Sequence, residues 1–163
     1  MPTHYVLDQN FPWHVTGLTW PPSIQISRLV EVAPQLTRHV DDWEVLLGLD
    51  LLGGVDGFIT NDASMLVLPT EMVALSRTRL ALVVTGGVGH EPLRATGLVM
   101  VHLQQVTNTV DSMPKICLLR PGRVQPVTAW AQINRIATHR KVVVDQLVAE
   151  ELAHMGLPRR PAR

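Results

Sequence analysis

Short apolar runs that alternate with segments of helical period predict an α/β chain, a three-layer α/β/α sandwich around a mainly parallel sheet. Three observations carry this expectation. The stretches "HYVLD", "GFIT" and "KICLLRP" are short, apolar and β-rich. "RLALVVTGG" contains a wholly apolar run, as strands buried on both faces of a parallel sheet do. Between these runs, "DDWEVLLGLDLLGGV" and "LPTEMVALSRT" space their apolar residues at helical intervals.

Taken in order, Tyr5 to Leu7 forms a central strand with Asp8 at its carboxyl end. "NFPWHVTGLTWPPS" is broken by Pro12, Gly17, Pro21 and Pro22 and reads as loop or one irregular turn. "IQISRLVEVAP" predicts a second strand from Ile24 through Val32, ended by Pro34. In "DDWEVLLGLDLLGGV" a helix capped by Asp41 or Asp42 presents Trp43, Leu46, Leu47 and Asp50-Leu51, and Gly53-Gly54 stops it. "GFIT" is the third strand, Pro69 opens the next helix, and "RLALVVTGG" is the fourth strand. A long helix interrupted at Gly97 follows, then the fifth strand in "KICLLRP". Helix continues from Val127, broken near Thr138-His139, with Val142, Val143, Leu147, Val148 and Leu152 on one side. The expected organisation is a core over 1–125, a C-terminal helical element over 126–155 and a flexible basic tail over 156–163.

At 163 residues and 46% hydrophobic composition the chain can bury one sizeable core. No apolar run approaches the roughly 20 residues of a membrane span, so no membrane association is expected. The N-terminus lacks a basic region followed by a long apolar one, which argues against a signal peptide. A single cysteine, Cys117, excludes an internal disulfide framework, suits a cytoplasmic location and reads as an inert core thiol. The seven histidines show no zinc spacing, and Gly-x-Ser-x-Gly is absent.

Net charge is zero, yet the halves differ. Met1 to Ser76 holds nine acids and two bases, Arg28 and Arg38, a balance of −7. Arg77 to Arg163 holds five acids and twelve bases, a balance of +7. Either the surface divides into acidic and basic regions, the latter attracting polyanions, or folding interleaves the halves and the charges pair.

In open α/β sheets ligands bind at the carboxyl ends of the strands. Asp8 follows the first strand, Asp62 follows the third, and a right-handed crossover brings the first turn of the Asp42 helix near the same edge. Taken singly, Asp42 is a cap and Asp62 a turn former. Taken together, three carboxylates repel unless a cation joins them. Magnesium or manganese suits such oxygen ligands, and with it a site of this kind hydrolyses phosphodiesters.

The ordered set "YVLDQNFP", "VDDWEVLLGL" and "GFITNDASM" resembles the PIN-domain superfamily of metal-dependent nucleases. It is closest to a compact PIN-like group with an "LLDENLP"-type first motif and "TRD" or "TND" after a later strand. The likeness covers about Tyr5 to Leu66 as motifs. It implies Asp8, Asp42 and Asp62 as catalytic metal ligands, with Asp41 the register alternative to Asp42 and Asn10, Thr60, Asn61 and Ser64 as polar support. What it implies is magnesium- or manganese-dependent endoribonuclease activity, often as the toxin of a toxin–antitoxin pair, with RNA and an antitoxin protein as partners. Gln9 and Ser64 stand where the compact group often has acids, and Glu31, the one glutamate before Asp42, falls in an expected strand. These departures define the alternative, a PIN-like module that binds RNA or protein without turnover.

The glycine-rich "VTGGVGHEPLRATG" suggests an anion nest, or more plainly a tight strand-to-helix turn. Were it to line the same edge, Glu91 would supply a further acid, and His90 or Arg94 would contact phosphate. Arg120, Arg123, Arg135, Arg140 and Lys141, with Trp130 among them, form either an RNA-facing strip or a solvated surface. Trp13 and Trp20 are a substrate lip or the lid of a small core. The C-terminal apolar stripe docks on its own sheet or pairs with a second copy as a homodimer.

Overall fold

A computed structural model of the chain describes residues 1–88, 91–109 and 115–158. Six strands form one sheet in the order β2-β1-β3-β4-β5-β6: β1 Thr3–Leu7, β2 Ile24–Arg28, β3 Gly57–Thr60, β4 Ala81–Thr85, β5 Lys115–Arg120 and β6 Arg123–Thr128. Pairings from β2 through β5 are parallel, and β6 runs antiparallel to β5. The helices are α1 Leu29–Val32, α2 Asp42–Leu52, α3 Pro69–Leu75, α4 Pro92–Thr109, α5 Ala129–Arg140 and α6 Val144–His154.

Two apolar cores separate the three layers. On one face Val6, Phe58, Leu82 and Ile116 pack beneath α2, α3, α5 and α6. On the other, Tyr5, Ile59, Val83 and Cys117 pack beneath α4. Successive strand residues therefore alternate between cores, as the pleat requires. The expected α/β/α sandwich is the fold observed. No helix among the described residues is long and apolar enough to cross a membrane.

Several local expectations are corrected. β2 stops at Arg28, and Leu29–Val32 turns into α1, where the Glu31 carboxylate accepts the Arg28 backbone N–H at 2.9 Å. Glu31 is thus on a short helix, its carboxylate satisfying an orphan donor of the first turn. α2 buries Val45, Leu46 and Leu49 and leaves Leu51 at the surface. This face belongs to residues 42, 45, 46 and 49, the i, i+3, i+4, i+7 stripe. α4 runs unbroken through Gly97, because Ala95, Leu98, Val99, Leu103 and Val106 bury one continuous stripe.

β6 was not expected. Pro126 argues against a central strand, but β6 is the sheet's edge, where the missing donor leaves no ladder bond unmade. Pro121 and Gly122 close the hairpin, and Gly122 has φ +78, the left-handed position a type II turn assigns to glycine. The boundary expected at 125/126 falls inside this strand, and α5 and α6 belong to the larger core. The last helices break at Lys141 rather than Thr138-His139, with Lys141 in the left-handed conformation at φ 57. Val142 and Val143 are exposed there, while Leu147 and Leu152 are buried against the domain's own core. Of the expected tail, residues 159–163 lie outside the described residues, as does His90.

Candidate functional site

The order β2-β1-β3 creates a topological switch point: from β1 the chain moves outward to β2, then crosses back to β3 on the far side of β1. Crevices at such points, beyond the carboxyl ends of the strands, are where open α/β sheets bind ligands. Asp8 and Asp62 both lie there. The Asp8 backbone N–H extends the β1–β3 ladder by donating to the Ile59 carbonyl at 2.9 Å. Thr60 then sits beside Asp8, and its hydroxyl donates to Asp8 Oδ2 at 2.8 Å. The same hydroxyl accepts the Asp62 backbone N–H at 3.0 Å. Thr60 is fully buried, so this link between the two loops is shielded from water.

The pleat sets the direction of these side chains. Val6 and Phe58 face the α2 side, so by period two Asp8 and Thr60 do also. Asp42, at the start of α2, lies on the stripe that packs on that side and is half-buried. Asp41 is the exposed residue preceding the helix, and its N–H donates to Glu44 Oε2 at 2.9 Å. Of the two, Asp42 is the one on the face that packs toward Asp8 and Thr60.

The carboxylates sense one another. Burial pushes the Asp8 carboxyl above its ordinary range, against the pull of the Thr60 hydroxyl, and the charge of Asp62 adds to the rise. Asp42 is likewise raised by burial, then by Asp8, Asp62 and Asp41. A fourth acid joins them. Glu71, in the first turn of α3 and buried, is raised by burial and by Asp42, Asp41 and Glu151. Among the described residues no Lys or Arg forms an ion pair with Asp8, Asp42, Asp62 or Glu71. Nor do any three His, Cys, Asp or Glu side chains among them stand close enough to enclose one metal ion.

The polar support divides. Ser64 offers its backbone N–H to Asp62 Oδ1 at 2.8 Å, which makes Asp62 a turn former as well as a candidate ligand. Asn10 contributes its backbone N–H to Asp8 Oδ1 at 3.4 Å. Asn61 is half-buried beside them. Glu91 does not join the group: it precedes α4, on the opposite layer, and pairs with Arg94 at 3.0 Å. The glycine-rich segment makes a turn through Gly87 at φ +72. Arg120 and Arg123 face each other at the exposed end of the β5–β6 hairpin. β5 lies three strands from β1, about 14 Å at the usual interstrand spacing.

No family model matches the chain, and neither a curated protein nor a solved structure matches it.

Sequence reasoning missed two groups. Glu71 gave no signal, because a glutamate in a first helical turn is commonplace. The other is a cleft of about 330 Å³ beside Asp8, lined by Gln9, Phe11, Trp13, Arg28 and Arg38 among others. It also separates the two tryptophans of the Pro-rich loop. Trp20 packs against the α4-side core and donates its Nε1–H to the Val15 carbonyl at 2.9 Å, whereas Trp13 is 59% exposed at the cleft.

Proposed function

We propose that this chain is a metal-dependent endoribonuclease on a PIN-like α/β/α fold. The observation that carries the reading is the convergence of Asp8, Asp42 and Asp62 at the switch point, each half-buried or at the surface and none neutralised by a cation among the described residues. Carboxylates kept together at an electrostatic cost are a mark of functional sites. Their oxygen donors fit magnesium or manganese, and magnesium typically takes one or two protein carboxylates and completes its shell with water and substrate phosphate.

In this reading Asp8 and Asp42 hold the ion, with Asp62 at the rim. The ion supplies Lewis-acid stabilisation of the phosphodiester and activation of water. Thr60 fixes the rotamer of Asp8 and ties it to the Asp62 turn.

The test is cleavage of a labelled single-stranded RNA with magnesium or manganese, comparing wild type, Asp8→Asn and Asp62→Asn. Ion-dependent cleavage lost in both variants supports the proposal; equal cleavage in all three ends it. A second reading, a module that binds RNA or protein without turnover, is favoured by the lack of a three-ligand cluster among the described residues. It predicts no cleavage by a folded protein that still binds RNA.

A further inference from the structure

The cleft beside Asp8 draws together residues distant in sequence. Arg28 ends β2, Arg38 lies between α1 and α2, and Trp13 comes from the loop after β1. Met1 to Ser76 carries nine acids and only two Lys or Arg residues, and both of those line this cleft. Among the described residues neither guanidinium has an ion-pair partner, although acids outnumber them more than four to one in that half. Arginines serving fold stability in so acidic a segment would find carboxylates. Neither guanidinium is committed to a carboxylate among the described residues, so both are able to receive an anion.

The rest of the lining states what kind. Trp13 presents a largely exposed indole at the rim, in edge contact with the His14 ring at 4.1 Å between centroids, and its remaining area is a stacking surface for a planar ring. A guanidinium fork matches phosphate oxygens in a bidentate way. The volume, about 330 Å³, is at the low end of small-ligand pockets, about 300–1,000 Å³, and suits one unit rather than a polymer. Asp8 belongs to both the cleft and the carboxylate group. We infer that this cleft is a nucleotide-binding subsite for single-stranded RNA: Arg28 and Arg38 hold one phosphate, Trp13 stacks on its base, and the neighbouring phosphodiester is laid across Asp8, Asp42 and Asp62. The inference rests on the nuclease reading for its purpose but not for its measurement. It also makes Arg28, Arg38 and Trp13 positioning residues, since they hold the strand and do not touch the reacting phosphorus.

The test is fluorescence anisotropy with a short fluorescein-labelled oligoadenylate RNA in EDTA, where ion-dependent cleavage cannot occur. Variants are Arg28→Gln, Arg38→Gln, Trp13→Ala and Trp13→Phe. Arg79→Gln is the charge control, since Arg79 precedes β4 at the amino ends of the parallel strands and, among the described residues, pairs with Asp50 at 3.6 Å. Unchanged thermal midpoints establish that the variants are folded. Each arginine variant is expected to weaken binding about tenfold and to reduce the slope of log K against log salt by about 0.7. Trp13→Ala is expected to lose about fivefold or more, with Trp13→Phe largely retained. Affinities equal to that of Arg79→Gln overturn the inference, as does competition by adenosine monophosphate as effective as by the oligomer, which would mark a mononucleotide pocket. Cleft variants that lose binding in a protein that never cleaves would leave the subsite standing and defeat only the nuclease reading. Cleavage by wild type with undiminished binding and cleavage by the cleft variants would do the reverse.

Discussion

Thr60 donates its hydroxyl proton to Asp8 Oδ2 at 2.8 Å, and the same oxygen accepts the backbone N–H of Asp62 at 3.0 Å. One buried side chain thereby couples the ends of two paired parallel strands. Thr60→Val keeps the shape but leaves a buried carboxylate oxygen and a backbone donor without partners. The expected cost is about 1–3 kcal/mol in urea denaturation, with Thr60→Ser close to wild type. The hydroxyl also holds the Asp8 pKa down, so its loss lets burial raise that carboxyl further. If catalysis uses ionised Asp8, the acidic limb of the pH–rate profile moves to higher pH in Thr60→Val, whereas a purely structural threonine would lower the rate evenly across pH.

The raised carboxyls have a stability consequence whose sign is fixed. Asp42 and Glu71 hold their protons more tightly in the folded chain than in the unfolded one. Their contribution to folded stability is therefore most favourable below the ordinary carboxyl range, and it declines as pH rises through the elevated folded values. Asp42→Asn and Glu71→Gln remove groups that oppose folding at neutral pH. Each is expected to stabilise by about 1 kcal/mol at pH 7, a rise of about 2–4 °C in thermal midpoint, and to give no advantage near pH 3. Denaturation across that range checks it. A uniform loss at every pH would show that packing, not charge, governs these positions.

Much of this organisation was legible because it is local. "GFIT" and "ALVV" announce strands by composition, and "TND" announces a polar turn after one of them. Asp8 and Asp62 could be placed at one edge because parallel topology puts every strand's carboxyl end there. What escaped depends on tertiary choice. The α2 face was legible in part: Leu46 is buried and Trp43 and Leu47 pack at the margin of the core, but packing on the sheet centres the stripe on Val45, Leu46 and Leu49 and leaves Leu51 outside. β6 was hidden by Pro126, whose cost vanishes at an edge that sequence does not reveal. Arg28 and Arg38 entered the sequence only as the two bases of its acidic half; the early end of β2 and the turn into α1 bring them to one cleft.

β3 also depends on a close approach at its first residue. A Cβ at Gly57 would lie 2.7 Å from Tyr5 Cδ1 and 3.0 Å from the Ala81 carbonyl oxygen. Tyr5 cannot easily yield, being fully buried with its hydroxyl 3.1 Å from Thr107 Oγ1; burial also pushes its phenol up to about 12. Gly57→Ala is therefore expected to destabilise by about 1–3 kcal/mol. Because Thr60 and Asp62 hang from the same strand, the nuclease proposal expects Gly57→Ala to lose more activity than the unfolded fraction accounts for, measured as cleavage per folded molecule.

The ion itself can be tested without any substrate. A cation that binds only the folded chain stabilises it by RT ln(1 + [L]/Kd), about 1.4 kcal/mol at ten times Kd, and so raises the thermal midpoint by about 3–6 °C. Magnesium or manganese is expected to give this rise in wild type and not in Asp8→Asn. Ser64→Ala leaves the backbone donor to Asp62 in place and should respond as wild type does. Since an ion held by these carboxylates would relieve the same repulsion that Asp42→Asn removes, that variant should gain less from magnesium than wild type, and the two effects should fall short of additive. Full additivity would mean that Asp42 and the ion act at separate places. No response in wild type would leave the carboxylates as an uncompensated cluster and favour the binding module over the nuclease.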